Sequence, residues 1–351
     1  MAQKLIKATE KEFKEKYYGD FFTYVSKKLF NHNHDCKFEF EDEELEKIQN
    51  EIIAQGDAAT CVEFARFVKD ANIKALENAV IKNADPVKCF EFARYVKGAD
   101  VQALEEKVIE SGLGATCYNF AKYVKSANIK ELEKVVIKEA DPVICYKFAC
   151  NIKGSDIKTL EQILLESRDL KTCINFARDI KKANVKLLQQ KIIKEGDSSI
   201  WVDFAQEVKR ADKKVLQQKI IQSGEARACY RFAYNVKCKS KDIEKLQQTV
   251  IDSNDAEYCY KFAKYIKNAD INKLEEAVIR SGDIEFCRMF AKKVDGANSE
   301  RLLDAINNIE ESFFAKLTRK TDSANSKTEY MPIYEEKTAV NAKKANSEHH
   351  K

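Results

Sequence analysis

The stretch Cys61-Val-Glu-Phe-Ala-Arg-Phe-Val-Lys-Asp-Ala-Asn-Ile-Lys-Ala-Leu-Glu-Asn-Ala-Val-Ile-Lys82 decides the fold. Its first part places Cys61, Phe64, Ala65 and Val68 at the i, i+3, i+4, i+7 spacing of one α-helix face. Its second part does the same with Ile73, Leu76, Val80 and Ile81. Between them stands Asn72, a residue whose side-chain oxygen suits a helix N-terminus. Two short helices joined by so short a turn are antiparallel neighbours. They are called helix A and helix B below.

The pattern recurs outward from this stretch. Cys61, Cys89, Cys117, Cys145 and Cys173 are 28 residues apart, Trp201 takes the next place, and Cys229 follows. Two extra residues near Lys239 shift the last members to Cys259 and Cys287, which makes nine registers. Three positions after every register comes Phe, then Ala, and at position seven Val or Ile. Helix A is expected to start after Asp57, Asp85, Asp141, Asp169, Asp197, Asp255 and Asp283. Helix B is expected after Asn72, Asp100, Asn128, Asp156, Asn184, Asp212, Asp242, Asp270 and Asn298. Pro86 and Pro142 directly follow their caps, where a missing N–H costs nothing.

Helices of about ten residues are marginal alone, so each hairpin needs neighbours to cover its apolar face. The expected fold is all-α, an α-solenoid of about nine 28-residue helical hairpins with an N-terminal capping helix. Residues 1–41 are read as that capping helix and a loop, 42–317 as the hairpin array, and 318–351 as a flexible polar tail. The capping helix is placed at 9–30, with Thr9 and Glu12 as a capping box and Phe13, Tyr17, Phe21, Val25 and Leu29 as its stripe. Residues 42–54 read as a lone helix B, and the last helix B continues through Phe313, Phe314 and Leu317.

Over residues 42–317 the chain resembles the α-solenoid class: HEAT, armadillo, tetratricopeptide and pentatricopeptide repeat proteins. The resemblance is one of architecture. The signatures of those families are absent and the unit is shorter, so no binding residue carries over. The resemblance implies a recognition groove, most often for a protein.

Composition narrows the function. The 351 residues are 44% hydrophobic and 34% charged, with a net charge of only +4 and few Gly (10) or Pro (3). A chain built purely to coat nucleic acid usually carries a larger basic excess. No apolar run spans a membrane and the first residues lack a signal-peptide core, so the expectation is a cytoplasmic protein. The regular cysteines fit that location. Equivalent positions in packed hairpins lie about 10 Å apart, beyond disulfide or shared-zinc reach. They read as small buried residues, whereas Cys36, Cys150 and Cys238 lie off the ladder and read as exposed thiols. His32, His34 and Cys36 hold metal-ligating chemistry in a short polar tract that reads equally as a loop, and no metal site is assigned to them. Outside that tract and the tail there is no His, and no Gly-rich phosphate loop, so neither an enzyme nor a cofactor is expected. Glu77, Glu105, Glu133 and Glu161 read as a solvated helix face.

A second stripe carries the functional expectation. Positions one, five and eight after the register hold an aromatic and one or two cations: Phe90, Arg94, Lys97; Tyr118, Lys122, Lys125; Tyr260, Lys264, Lys267. Tyr146 with Lys153, and Tyr230 with Lys237, continue it. If all three positions share one side of helix A, they form a partner-binding stripe. The first expectation is a monomeric protein–protein interaction scaffold binding a partner along this surface. The alternative is single-stranded nucleic acid, with bases on the aromatics and phosphates on the cations. A purely structural stripe, packing between hairpins and matching the helix dipole, accounts for the same residues.

Overall fold

The computed structural model describes residues 4–11, 36–236 and 238–325. Nineteen helices occur among them, in two compact units that meet between Lys237 and Cys238. In the first unit, strands β1 (Lys4–Lys7) and β2 (Cys36–Glu39) pair in parallel, Ile6 opposite Phe38. The helices then run α1 (Asp42–Gln55), α2 (Ala58–Phe67), α3 (Ile73–Asn83), α4 (Pro86–Tyr95), α5 (Val101–Glu110), α6 (Gly114–Tyr123) and α7 (Ile129–Glu139). They continue as α8 (Pro142–Asn151), α9 (Ile157–Glu166), α10 (Leu170–Asp179), α11 (Val185–Glu195), α12 (Ser198–Glu207), α13 (Lys213–Ser223) and α14 (Ala226–Asn235). The second unit holds α15 (Ser240–Asp252), α16 (Ala256–Tyr265), α17 (Ile271–Ser281), α18 (Ile284–Lys293) and α19 (Ser299–Asn325).

Even-numbered helices are the A helices. In the first unit each packs on the next A helix and on its flanking B helices. The Phe of every register is essentially solvent-free, from Phe64 to Phe290. The Leu of helix B is equally buried, as at Leu76, Leu104 and Leu132. The Asp caps of helix A lie where expected, each accepting from backbone N–H groups of the first turn. Asp242 does not cap. The longer loop lets α15 start at Ser240, which puts Asp242 inside its first turn. Asn128 precedes α7 without a side-chain cap bond.

Three further expectations change. Helix A is ten residues long, because the position-seven Val or Ile turns to extended backbone (φ −97°, ψ 118° at Val96) and ends it. That residue is buried, and its N–H still reaches the Phe carbonyl four residues back. The final helix runs on to Asn325, past the polar shift near Thr318. At the other end the structure holds a short sheet that the sequence did not announce. Phe38 and Phe40 are buried, Phe40 stacks on Phe64, and the Phe38 carbonyl accepts from Lys69 N–H. Most of the expected 9–30 helix lies outside the described residues, as do 326–351.

The most consequential correction concerns the glutamates. Glu77, Glu105, Glu133 and Glu161 are buried, not solvated. Each carboxylate accepts the backbone N–H of the residue that opens the next B helix: Asp100 (2.5 Å), Asn128 (2.6 Å), Asp156 (2.7 Å) and Asn184 (2.6 Å). Gln49 and Gln189 do the same for Asn72 and Asp212. In the second unit Gln247 and Glu275 serve Asp270 and Asn298. Gln189 and Gln247 also donate their amide to the carbonyl of the same residue. Within each unit one buried acceptor per hairpin therefore ties a B helix to the start of the next.

Removing this acceptor strands a half-buried N–H, a loss of about 1–3 kcal/mol. Glu133→Ala is expected to lower unfolding stability by that amount, and Glu133→Gln to keep most of it, as read by urea denaturation. Burial, offset by the amide bond, raises the pKa of Glu105, Glu133 and Glu161 above the usual carboxylate value. A folded-state pKa above the unfolded one favours the protonated native form. This contribution is full below the unfolded pKa, about 4.3, and is lost as pH rises through the raised folded values. Replacing all three by Gln is expected to remove that part of the pH dependence in thermal melts from pH 4 to 7.

Candidate functional site

The A-to-B turns carry the strongest chemical asymmetry in the first unit. Segments 66–74, 94–102, 122–130, 150–158, 178–186 and 206–214 contain eighteen Lys or Arg against six Asp or Glu. The B-to-A segments 53–61, 81–89, 109–117, 137–145, 165–173, 193–201 and 221–229 contain seven against ten. Successive A-to-B turns are adjacent. Arg210 donates from one turn to the Lys181 and Ala183 carbonyls of the turn before it, and Arg178 reaches Glu207 at 2.6 Å. The basic residues thus share one edge of the first unit.

In the first unit the position-eight lysines stand on this edge, not on helix A, and Lys267 has the equivalent place in the second unit. Helix A ends at position six, so Lys97, Lys125, Lys153 and Lys267 fall in the turn that follows. All four are exposed, and none has an ion-pair partner among the described residues. Lys181 and Lys209 share both properties. Lys69 differs, bonding Glu39 of β2 at 2.7 Å. Lys237 lies outside the described residues.

The position-one aromatics do not form an open stripe. Phe90, Tyr118 and Tyr260 are buried. The Phe90 ring lies 6.3 Å from Phe120, Tyr118 lies 6.4 Å from Phe148, and Tyr260 packs on Phe286 and Phe290. The next hairpin covers them. Tyr146 is half-buried and donates its hydroxyl to Asp179 at 2.6 Å, and Tyr230 is half-buried with its ring 5.8 Å from Tyr234. The position-five cations Arg94, Lys122 and Lys264 are exposed. Lys122 and Lys264 donate back to the hydroxyls of Tyr118 and Tyr260.

The exposed aromatics are instead at position six (Tyr95, Tyr123, Tyr265) and, once, at position five (Tyr234), which the sequence reading passed over. Tyr95 is 40% and Tyr123 43% exposed. They interleave with the position-five cations across hairpins. Arg66 lies 4.6 Å from both the Phe67 and Tyr95 ring centres. Arg94 lies 4.7 Å from Tyr95 and 4.1 Å from Tyr123, and Lys122 lies 5.1 Å from Tyr123. Each such contact contributes about 0.5–1 kcal/mol at an exposed site. The repeated Arg-aromatic pair at positions five and six, Arg66-Phe67 then Arg94-Tyr95, was the available signal.

The ladder cysteines are buried, and none forms a disulfide. From Cys117 onward their sulfurs donate to a carbonyl in the last turn of the preceding B helix, as Cys117 to Val108 (3.7 Å) and Cys173 to Leu164 (3.3 Å). Trp201 keeps that donor with a larger group, its indole N–H reaching the Ile192 carbonyl at 3.0 Å. Burial pushes the Cys89 thiol up to about 11 and the Cys117 thiol up to about 12. Cys150 is exposed and Cys238 half-exposed. Burial of part of its surface also raises the Cys150 thiol. His32 and His34 lie outside the described residues, as does the side chain of Cys36. Among the described residues no cluster of His, Cys, Asp and Glu is placed to hold a metal ion, and no helix is long and apolar enough to cross a membrane.

No protein-family model matches the chain, and no curated protein or solved structure matches it significantly.

Thiol access gives a direct check on this geometry. Brief iodoacetamide treatment at pH 8, read by peptide mass spectrometry, is expected to label Cys150 while the eight ladder cysteines react only after denaturant is added. Early labelling of Cys117 or Cys145 contradicts the packing described.

Proposed function

We propose that the chain is a non-enzymatic interaction scaffold, an α-solenoid that binds an acidic segment of a partner protein along its basic A-to-B edge. The observation that carries this reading is the row of exposed lysines without ion-pair partners, Lys97, Lys125, Lys153, Lys181 and Lys209, one per hairpin. A structural lysine row would be neutralised by neighbouring carboxylates. Here the available glutamates are buried and engaged with backbone amides. A field of one sign along an edge steers and orients an oppositely charged partner.

The choice of protein over nucleic acid rests on the aromatics. Stacking of bases needs open ring faces. Phe90 and Tyr118 are covered by the next hairpin. Tyr95 and Tyr123 each have two cations set against their rings. Along the Lys97–Lys209 row what remains accessible is chiefly charge and hydrogen-bond donors, which suit carboxylates; the more open rings of Tyr234 and Tyr265 follow that row in the chain.

The test is fluorescence anisotropy with a labelled polyglutamate peptide and a thymidylate oligonucleotide of equal charge. The peptide is expected to bind at low salt, to weaken steeply as salt is added, and to lose at least tenfold in affinity with Lys97→Glu, Lys125→Glu, Lys153→Glu and Lys181→Glu combined. Much tighter binding of the oligonucleotide, or no effect of the four reversals, would overturn the reading.

A further inference from the structure

An apolar recess interrupts the basic edge. In the first, second and fifth hairpins the position-five side chain spans to the position-six side chain of the next hairpin. Arg66 reaches Tyr95, Arg94 reaches Tyr123, and Arg178 reaches Glu207. In the fourth hairpin position five is Cys150, too short to span, and Asn151 and Gly154 add little bulk beside it. A groove of about 530 Å³ opens there between the fourth and fifth hairpins. Its apolar walls come from Ile152, Ile157 and Ile180.

The charged groups around this groove favour an acidic visitor. Lys181 and Lys182 line it, and Lys153 precedes the lining residue Gly154 in the fourth hairpin's turn; all three are exposed and have no ion-pair partner among the described residues. The one carboxylate in the lining, Asp179, is already held by Arg178 (2.9 Å) and by the Tyr146 hydroxyl (2.6 Å). A recess with apolar walls and a cationic rim matches an apolar side chain flanked by carboxylates.

We propose that this groove is an anchor pocket, taking one large apolar side chain of the acidic partner segment and fixing its register along the lysine row. The inference rests on the acidic-partner reading and specifies the partner: an acidic peptide with a central Phe or Leu. Buried anchors of this kind commonly carry most of the discrimination at an interface, while surrounding charge governs encounter.

The experiment compares two labelled dodecapeptides against the full chain, one all Glu and one with Phe at the sixth position. The Phe peptide is expected to bind about tenfold tighter, as burial of one large apolar side chain predicts. It is also expected to slow iodoacetamide modification of Cys150, which the all-Glu peptide leaves unchanged. Cys150→Arg restores the residue type that the first, second and fifth hairpins carry at this position, so it is compatible with the fold. It is expected to abolish the preference for Phe while all-Glu binding persists. Equal affinities with no protection of Cys150 would overturn the anchor pocket and leave the basic-edge reading standing. Binding of neither peptide at low salt would overturn both.

Discussion

The hydrogen bond from the opening amide of one B helix to the buried Glu or Gln of the B helix before it is the contact on which the rest depends. Helices of ten or eleven residues do not persist alone in water. Their first N–H groups also need acceptors from outside the helix. The side-chain cap supplies one acceptor, as Asp100 does for Ala103 N–H. The residue's own N–H is left over, and Glu77 takes it. Hydrophobic contact between helices is tolerant of sliding, whereas a hydrogen bond to one named amide is not. The ladder therefore fixes the register of successive hairpins, and with it the alignment of the turns that carry the lysines.

Burying a carboxylate at this position has a cost, visible in the raised pKa of Glu105, Glu133 and Glu161. Two things offset it. The bond to the amide is charge-assisted, and the carboxylate sits at the positive end of the next B helix. Gln at positions 49, 189 and 247 avoids the charge and gains a second bond where its amide reaches the carbonyl. The opposite side of several hairpins is joined in a comparable way. The Val108 carbonyl accepts from both Ser111 Oγ and Cys117 Sγ, and the same pairing recurs at Ile220, Val250 and Val278. The register position thus suits a side-chain donor, which explains why Trp with its N–H is accepted at 201.

Much of this was legible in the sequence. The period, the Phe-Ala core face and the Asp caps of helix A follow from local chemistry and hold in the structure, as does the packing of consecutive helices. What failed were judgements about surfaces that a neighbouring hairpin covers. A helical wheel places Glu77 beside Leu76 and cannot tell solvent from the flank of the next unit. The same ambiguity hid the burial of Phe90 and Tyr118. Position eight was misplaced because Val96 and its equivalents read as a further helical apolar residue, whereas they are buried extended residues that end the helix. The β1–β2 pair is four residues long on each side, too short to give an alternating signal. In the candidate site the cations were identified and the accessible aromatics were not, since exposure at Tyr95 and Tyr123 depends on how the hairpins stack.

Native-state hydrogen exchange at the opening amides of the B helices measures the ladder most directly. An amide at a helix start that bonds only to water exchanges at near loop rates. If the buried Glu and Gln hold these groups, the N–H of Asn128, Asp156 and Asn184 will exchange far more slowly than the exposed turn residues Lys125, Lys153 and Lys181. Exchange of all six at the same fast rate would contradict the ladder, and with it the fixed register that aligns the basic edge.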